Sequence, residues 1–411
     1  KLSEYRWLKG TAFSDLDGVP VSIKDLILTE GMPTLRGSLT VDVTQPWNVD
    51  APITARLKEA GAVVLGKTST PEFGCKAETN SPLTGITRNP WNLTKTPGGS
   101  SGGASAAVSA NLGPIGIGTD GAGSIRIPAA FCGNFGFKPS FGRVPAYPLS
   151  PFGTVAHLGP HTMSVEDAAT TMNIIKKPDA RDWTSLPYDD ENYLATLKEG
   201  VKGLKIAFSP NLGYVKNVDP EVAHKVAQAA KIFESLGAYV ELVDPGFEDP
   251  IDISTGLWFL GSFSIWSGLT KDQQSKCDQD FVAQAELGKY LSALDIQKIN
   301  LRRGMLGSHM RLFMSRYDLL LTPAVSIPAF DALPAGHRKM DANAMLGWTP
   351  FSYPFNLTQQ PACSMPCGNT NSGLPIAFQL VGPMFADDLV LQAAYAFEEV
   401  MPILRPPKLI I

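Results

Sequence analysis

Apolar and polar residues alternate over residues 18–24, which predicts a strand that delivers Lys24 at its end. Residues 53–59 carry helical spacing, and 62–65 read as a short buried strand. The alanine-rich run 102–110 reads as a helix whose small side chains allow close packing, followed by a short strand over 112–117. Further on, the pattern predicts a strand at 204–208, a long amphipathic helix over 220–236 and a strand at 239–243. Buried strands are expected at 318–322, 362–365 and 375–381, and a closing helix over 387–400. Strands alternating with helices imply an α/β fold, a central sheet with helices on both faces. No repeat or linker divides the chain, and the polar stretch 179–192 reads as an exposed excursion.

At 411 residues, 44% hydrophobic and 18% charged, the chain has the composition of an ordinary soluble protein with a sizeable core. A formal charge of −4 without a basic cluster argues against a nucleic-acid partner. Five cysteines, an odd number in a long chain, fit reduced core thiols in a cytoplasmic protein better than a disulfide framework. Cys363 and Cys367 have no second pair with which to close a zinc site, and no metal is expected. The most apolar long stretch, 256–269, is interrupted by glycine and serine, so no membrane span is predicted.

Four motifs look like known chemistry without its context. Gly116 to Gly121 spell G-x-G-x-x-G, but Pro128 follows shortly and no acid lies between Asp120 and Glu166 to hold a ribose. Gly61 to Thr68 spell a phosphate loop, but the residues between its glycines read as a strand, and Pro71 cuts short the helix that should follow. Gly98-Gly99-Ser100-Ser101-Gly102 matches a nucleophile elbow, which needs a late catalytic histidine; only His309 and His337 are available. His157 and His161 are spaced i, i+4, but Gly159 and Pro160 rule out a regular helix between them.

What remains is a pair of serine-glycine clusters, Gly98-Gly99-Ser100-Ser101-Gly102-Gly103 and Gly118-Thr119-Asp120-Gly121-Ala122-Gly123-Ser124, with Lys24 upstream. Two serines and a lysine can activate a hydroxyl without histidine. Each residue also has an ordinary reading: a loop serine bonded to backbone, a helix-capping serine, a surface lysine paired with Asp25. The order lysine, serine, serine, the glycines around them and the run Ser124-Ile125-Arg126-Ile127-Pro128 resemble the amidase signature family of Ser-Ser-Lys hydrolases. The resemblance runs from about residue 17 to 143, is thin from about 185 to 349, and resumes at Gly373-Leu374-Pro375 and Gln379-Leu380-Val381-Gly382-Pro383.

The resemblance implies one large domain over residues 1–411 with a mixed, mostly parallel central sheet. It implies an amidohydrolase acting on linear or cyclic amides, without cofactor. Ser124 becomes the nucleophile, Ser100 the relay and Lys24 a base freed of its proton by burial. The backbone N–H groups of Gly121, Ala122, Gly123 and Ser124 become the oxyanion hole. Ala122 stands where the family often has glycine, a change that leaves the backbone donors in place. Asp120 and Arg126 would hold the loop, with Ser101 and Thr119 hydrogen-bonding around the triad, and the Gly99–Ser100 peptide would be cis. The variable middle region would supply the pocket: Trp258, Phe259, Trp348 and Phe351. The expected partner is a small amide, and a homodimer is compatible with the family. An A subunit of a glutamine-dependent tRNA amidotransferase is the alternative, although Thr70-Pro71-Glu72-Phe73-Gly74 reads more like the free-standing amidases. Lys24 comes early against the family pattern and the chain does not open on methionine, so missing N-terminal sequence is expected.

Overall fold

The computed structural model describes residues 1–336 and 346–407. Its centre is a ten-stranded sheet built from β1 (Pro20–Lys24), β2 (Val63–Thr68), β3 (Ile115–Asp120), β4 (Phe135–Lys138), β5 (His157–Thr162), β6 (Lys205–Phe208), β7 (Tyr239–Leu242), β8 (Leu319–Pro323), β9 (Ala362–Asn369) and β10 (Pro375–Val381). The spatial order is β2-β1-β3-β5-β4-β9-β10-β8-β6-β7. The sheet is mixed, but its parallel character is confined to the wings. The pairs β1/β2, β1/β3, β8/β6 and β6/β7 are parallel, and the five pairs between β3 and β8 are antiparallel.

Alternation along the strands divides the core between two faces. Leu319 and Leu321 of β8 pack on one side with Ile206, Cys363 and Leu380, and Leu320 faces the other with Ala207, Ala362 and Val381. The helices Pro220–Ser235 and Asp387–Val400 cover the first face, and Ile251–Ser267 and Ala293–Met314 cover the second.

Three expectations shift. The strand expected buried at 62–65 is the sheet's edge strand β2, with Val63 48% and Leu65 54% exposed, because nothing pairs with its outer side. Its Lys67 donates to the Thr34 hydroxyl (2.8 Å) and the Ile27 carbonyl, pinning the turn after β1, so the phosphate-loop lysine is structural. The strand expected at 112–117 begins only at Ile115, after Pro114, which has no N–H to give a ladder. It therefore runs on to Asp120, the residue that opens the glycine loop. Finally, the glycine-broken stretch 256–269 lies largely within one 17-residue helix, Ile251–Ser267. Gly256 and Gly261 are contact points there, each filled by a neighbouring side chain, Ile299 and Phe152. Among the described residues, no helix is long and apolar enough to cross a membrane.

Candidate active site

Parallel pairing of β1 with β3 sets Ile23 beside Ile117 and brings Lys24 and Thr119 to the same end of adjacent strands. The helix Gly102–Ser109 packs over β3, close enough that a Cβ on Gly116 would lie 3.0 Å from the Ala104 carbonyl. Ser100 and Ser101 immediately precede that helix and so reach the same point. Gly99 allows this approach: a Cβ there would stand 2.7 Å from the Glu78 backbone. The Gly99–Ser100 peptide is cis.

Lys24 is wholly buried, and its Nζ lies 2.7 Å from Ser100 Oγ, 2.9 Å from Ser101 Oγ and 2.8 Å from Thr119 Oγ1. Ser101 donates its own proton to the Thr119 carbonyl (3.0 Å) and accepts from Thr119 N–H (3.1 Å), so toward Lys24 it can only accept. Burial pushes the Lys24 ammonium well below its ordinary range, and the charge of Asp120 does not offset this. Asp25 is turned away, accepting from the N–H groups of Leu35 and Gly37.

The Asp120–Ser124 loop is locked from beneath. Arg126 grips both carboxylate oxygens of Asp120 (2.9 and 3.0 Å), and its other donors go to Gln379, Asn356 and the Ser352 carbonyl. Burial alone would raise the Asp120 carboxyl; the Arg126 charge and these hydrogen bonds outweigh it and hold Asp120 far below the usual carboxylate range. Asp120 also accepts from the N–H groups of Gly123 (2.7 Å) and Ile125 (3.2 Å). Gly123 is thereby removed from the expected set of oxyanion donors, because its N–H is already spent on a buried carboxylate. Gly121, Ala122 and Ser124 keep theirs, with no acceptor among the described residues. At Gly123 a φ of +120° and the Ser352 hydroxyl, 2.5 Å from where a Cβ would sit, require glycine.

Ser100, Thr119, Gly121 and Ser124 line one cavity of about 150 Å³. Its walls are largely apolar: Leu26, Ile27, Phe73, the segment 146–152, and Trp258, which stacks on Phe152 with ring centroids 4.1 Å apart. The indole of Trp258 donates to the Cys75 carbonyl (2.9 Å). Among the described residues, Ser124 Oγ makes no hydrogen bond to Ser100 Oγ; the two serine loops are joined instead by Ser101 N–H donating to the Ser124 carbonyl (3.1 Å).

Of the four pocket residues expected from sequence, only Trp258 lines this cavity. Trp348 stacks on Phe131 in a separate core cluster, Phe351 is fully buried in the second core face, and Phe259 packs at that core's margin. Phe152, which the 146–152 loop brings in, carries no motif or spacing that marks it for the pocket. Asn356 and Gln379, far downstream, were equally hidden as partners of Arg126. His157 and His161 lie on β5, buried, with Nδ1 near the Val155 carbonyl (2.8 Å) and Asn134 Oδ1 (3.3 Å) respectively. His309 contacts the Pro245 carbonyl, and His337 lies outside the described residues. All five cysteines are free thiols, and among the described residues no cluster of metal-ligating side chains occurs.

Comparison with known proteins identifies the family. A family model described as Amidase matches residues 8–391, running through the middle region where the motif resemblance is thin. An acylamidase of Rhodococcus erythropolis is 37% identical over 401 residues, covering 96% of this chain and 83% of the relative. The A subunit of a glutamyl-tRNA(Gln) amidotransferase from Alkaliphilus metalliredigens is 32% identical over 428 residues, with 97% and 85% covered. Among solved structures, a bacterial aryl acylamidase of the amidase signature enzymes superposes with a TM-score of 0.89 at 30% identity, covering 98% of this chain and 86% of that one. The chain belongs to the Amidase family, that of the amidase signature enzymes, and is by that membership an amide hydrolase.

Proposed function

We propose that the chain cleaves the C–N bond of small carboxylic amides through an acyl-enzyme on Ser124, with Ser100 as relay and Lys24 as base. The observation that carries this reading is the buried amine of Lys24, 2.7 Å from Ser100 and, among the described residues, in contact with three hydroxyls and no carboxylate. Ser124 passes its proton to the Ser100 hydroxyl, which gives its own to Lys24, and Ser124 Oγ attacks the carbonyl carbon. The N–H groups of Gly121, Ala122 and Ser124 receive the oxyanion. Lys24 returns the proton through Ser100 to the leaving nitrogen, and water then releases the acid by the same relay. The separation of the two serine hydroxyls is compatible with this route, since catalytic hydrogen bonds often shorten only when substrate is bound. The apolar cavity with its Trp258–Phe152 stack suits an aryl or alkyl group.

Hydrolysis of aliphatic, aryl and cyclic amides, with Ser124→Ala as the blank, tests the reading. Turnover that survives in Ser124→Ala, or a Ser124 that a fluorophosphonate does not label, would refute it. A second reading, the ammonia-liberating A subunit of a tRNA amidotransferase, is favoured by the 32%-identical relative. It predicts glutamine hydrolysis that appears only with a partner protein, and little activity on other amides.

A further inference from the structure

Arg36 lines two cavities at once: the inner one that holds Ser124, and a neighbouring chamber of about 470 Å³ bounded by Thr40, Asp42, Trp47 and Gln273. Phe73 and Ile265 also belong to both, so these three side chains stand at the border of the two cavities. The guanidinium is partly desolvated at this border, and among the described residues it makes no hydrogen bond or ion pair. Two other arginines close to the core spend their donors on protein groups. Arg126 holds Asp120, and Arg303 gives its donors to the Leu357 carbonyl (2.9 Å) and to the Thr154 hydroxyl and carbonyl (2.8 and 3.0 Å).

The nearby carboxylates do not meet Arg36. Asp25 is within electrostatic reach, but its oxygens accept from Leu35 and Gly37 N–H, and Asp42 is occupied by the N–H and hydroxyl of Thr44. An arginine cannot shed its proton to escape desolvation, and it presents five donors in a planar fork. A cation left in this state, facing a cavity, is complementary to an anion that arrives from outside. Leu26, Ile27 and Phe73 line the inner cavity with apolar surface, which suits an uncharged stretch between the reacting carbonyl and that anion.

We infer that Arg36 is a specificity residue that receives a carboxylate carried at the far end of an amide substrate whose reacting carbonyl sits at Ser124. The inference rests on the amide-hydrolase reading for the position of the reacting carbonyl. It narrows the substrate class to amides bearing a carboxylate beyond an apolar spacer, on either the acyl or the amine side.

The test measures binding, so that it does not depend on turnover. In Ser124→Ala protein, dissociation constants are determined calorimetrically for two series. One comprises the monoanilides of succinic, adipic and suberic acids; the other comprises N-benzoyl derivatives of glycine, 4-aminobutyrate and 5-aminopentanoate. Each acid is compared with its methyl ester. In at least one series the acid is expected to bind about tenfold or more tightly than its ester, the scale of one charge-assisted pair. Adding Arg36→Met brings acid and ester to within about twofold, and Arg36→Lys keeps part of the preference. Equal binding of acid and ester throughout both series overturns the inference, as does a preference that persists in Arg36→Met. The acid–ester comparison needs no change at Arg36, so a variant that fails to fold leaves the test decisive. Turnover of the same amides by the Ser124 enzyme, lost in Ser124→Ala, reports separately on the hydrolase reading.

Discussion

Two buried lysines near the cavity show how neighbours decide what an amine can do. Lys24 lies among hydroxyls behind Ser100 and Thr119, which line the cavity, and burial, with only the charge of Asp120 against it, drives its proton affinity down. Lys76 lies where the segment 72–76 meets the start of the helix Gln279–Gly288, in contact with Asp278 (2.8 Å) and Asp280. Burial pulls Lys76 down too, but its negative neighbours outweigh it and raise the affinity above the ordinary value. One amine is thus prepared to accept a proton and the other to keep it. Lys138 adds a control: burial depresses it as well, but it donates to the Gln360 and Pro139 carbonyls, and neither can relay a proton. A depressed affinity can serve the proposed relay only where a hydroxyl stands beside the amine, as Ser100 does at Lys24.

The contrast breaks most visibly on substitution. Lys24→Met should lower kcat/KM by roughly 10²–10⁴-fold, the scale of a lost general base, while costing only about 1–3 kcal/mol of stability for the hydroxyls left short of a partner. Steady-state kinetics with urea unfolding checks both, and activity within a few-fold of the parent enzyme would remove Lys24 from the mechanism. Lys76→Met should do the reverse. It strands two buried carboxylates and should cost about 3–5 kcal/mol, while the shape of the pH–rate profile is kept. A change in that profile would mean that Lys76, too, exchanges protons during turnover.

The pH–rate profile sharpens the same point. On the proposed reading the neutral amine of Lys24 is the active form, so kcat/KM should rise with pH through its depressed pKa and level off above it. The rising limb should lie well below the 10.5 of an ordinary lysine. A limb at that ordinary value would mean that burial does not depress Lys24, and a rate that falls with rising pH would mean that Lys24 works as an ammonium.

Much of this site was legible in the chain because it is local. Lys24, Ser100, Ser124 and their glycines form short ordered motifs, and the strands that carry Lys24 and Asp120 show apolar patterning. The wings of the sheet were legible for the same reason. The antiparallel strands β4 and β5 were not: Phe135 to Lys138 is too short to show alternation, and Gly159 and Pro160 obscure the other. The pocket was least legible, because its wall is assembled by tertiary contact. Phe152 acquires meaning only by stacking on Trp258, and Arg36 only because its guanidinium has no hydrogen-bond partner among the described residues. Trp348 and Phe351, which sequence offered for the pocket, are core residues, the commoner fate of aromatics.

The smallest predicted effect concerns the charge balance around Lys76. One ammonium faces three buried carboxylates, Asp278, Asp280 and Glu72, and Glu72 is the one not in contact with it. Glu72 accepts from Ser38 Oγ (2.6 Å) and Asp278 N–H (2.5 Å), yet burial outweighs these bonds and pushes its carboxyl up to about 7. A carboxyl raised above its unfolded value contributes stability that is fully present below about 4.5 and is lost as pH climbs through about 7. Comparing Glu72→Gln with the parent protein by urea unfolding cancels every other titration common to both. The parent's stability relative to the variant should fall by about 3 kcal/mol between pH 4 and pH 8. A difference that stays flat with pH would show that Glu72 titrates in the folded protein as it does in the unfolded chain, so that its hydrogen bonds and Lys76 cancel the effect of burial.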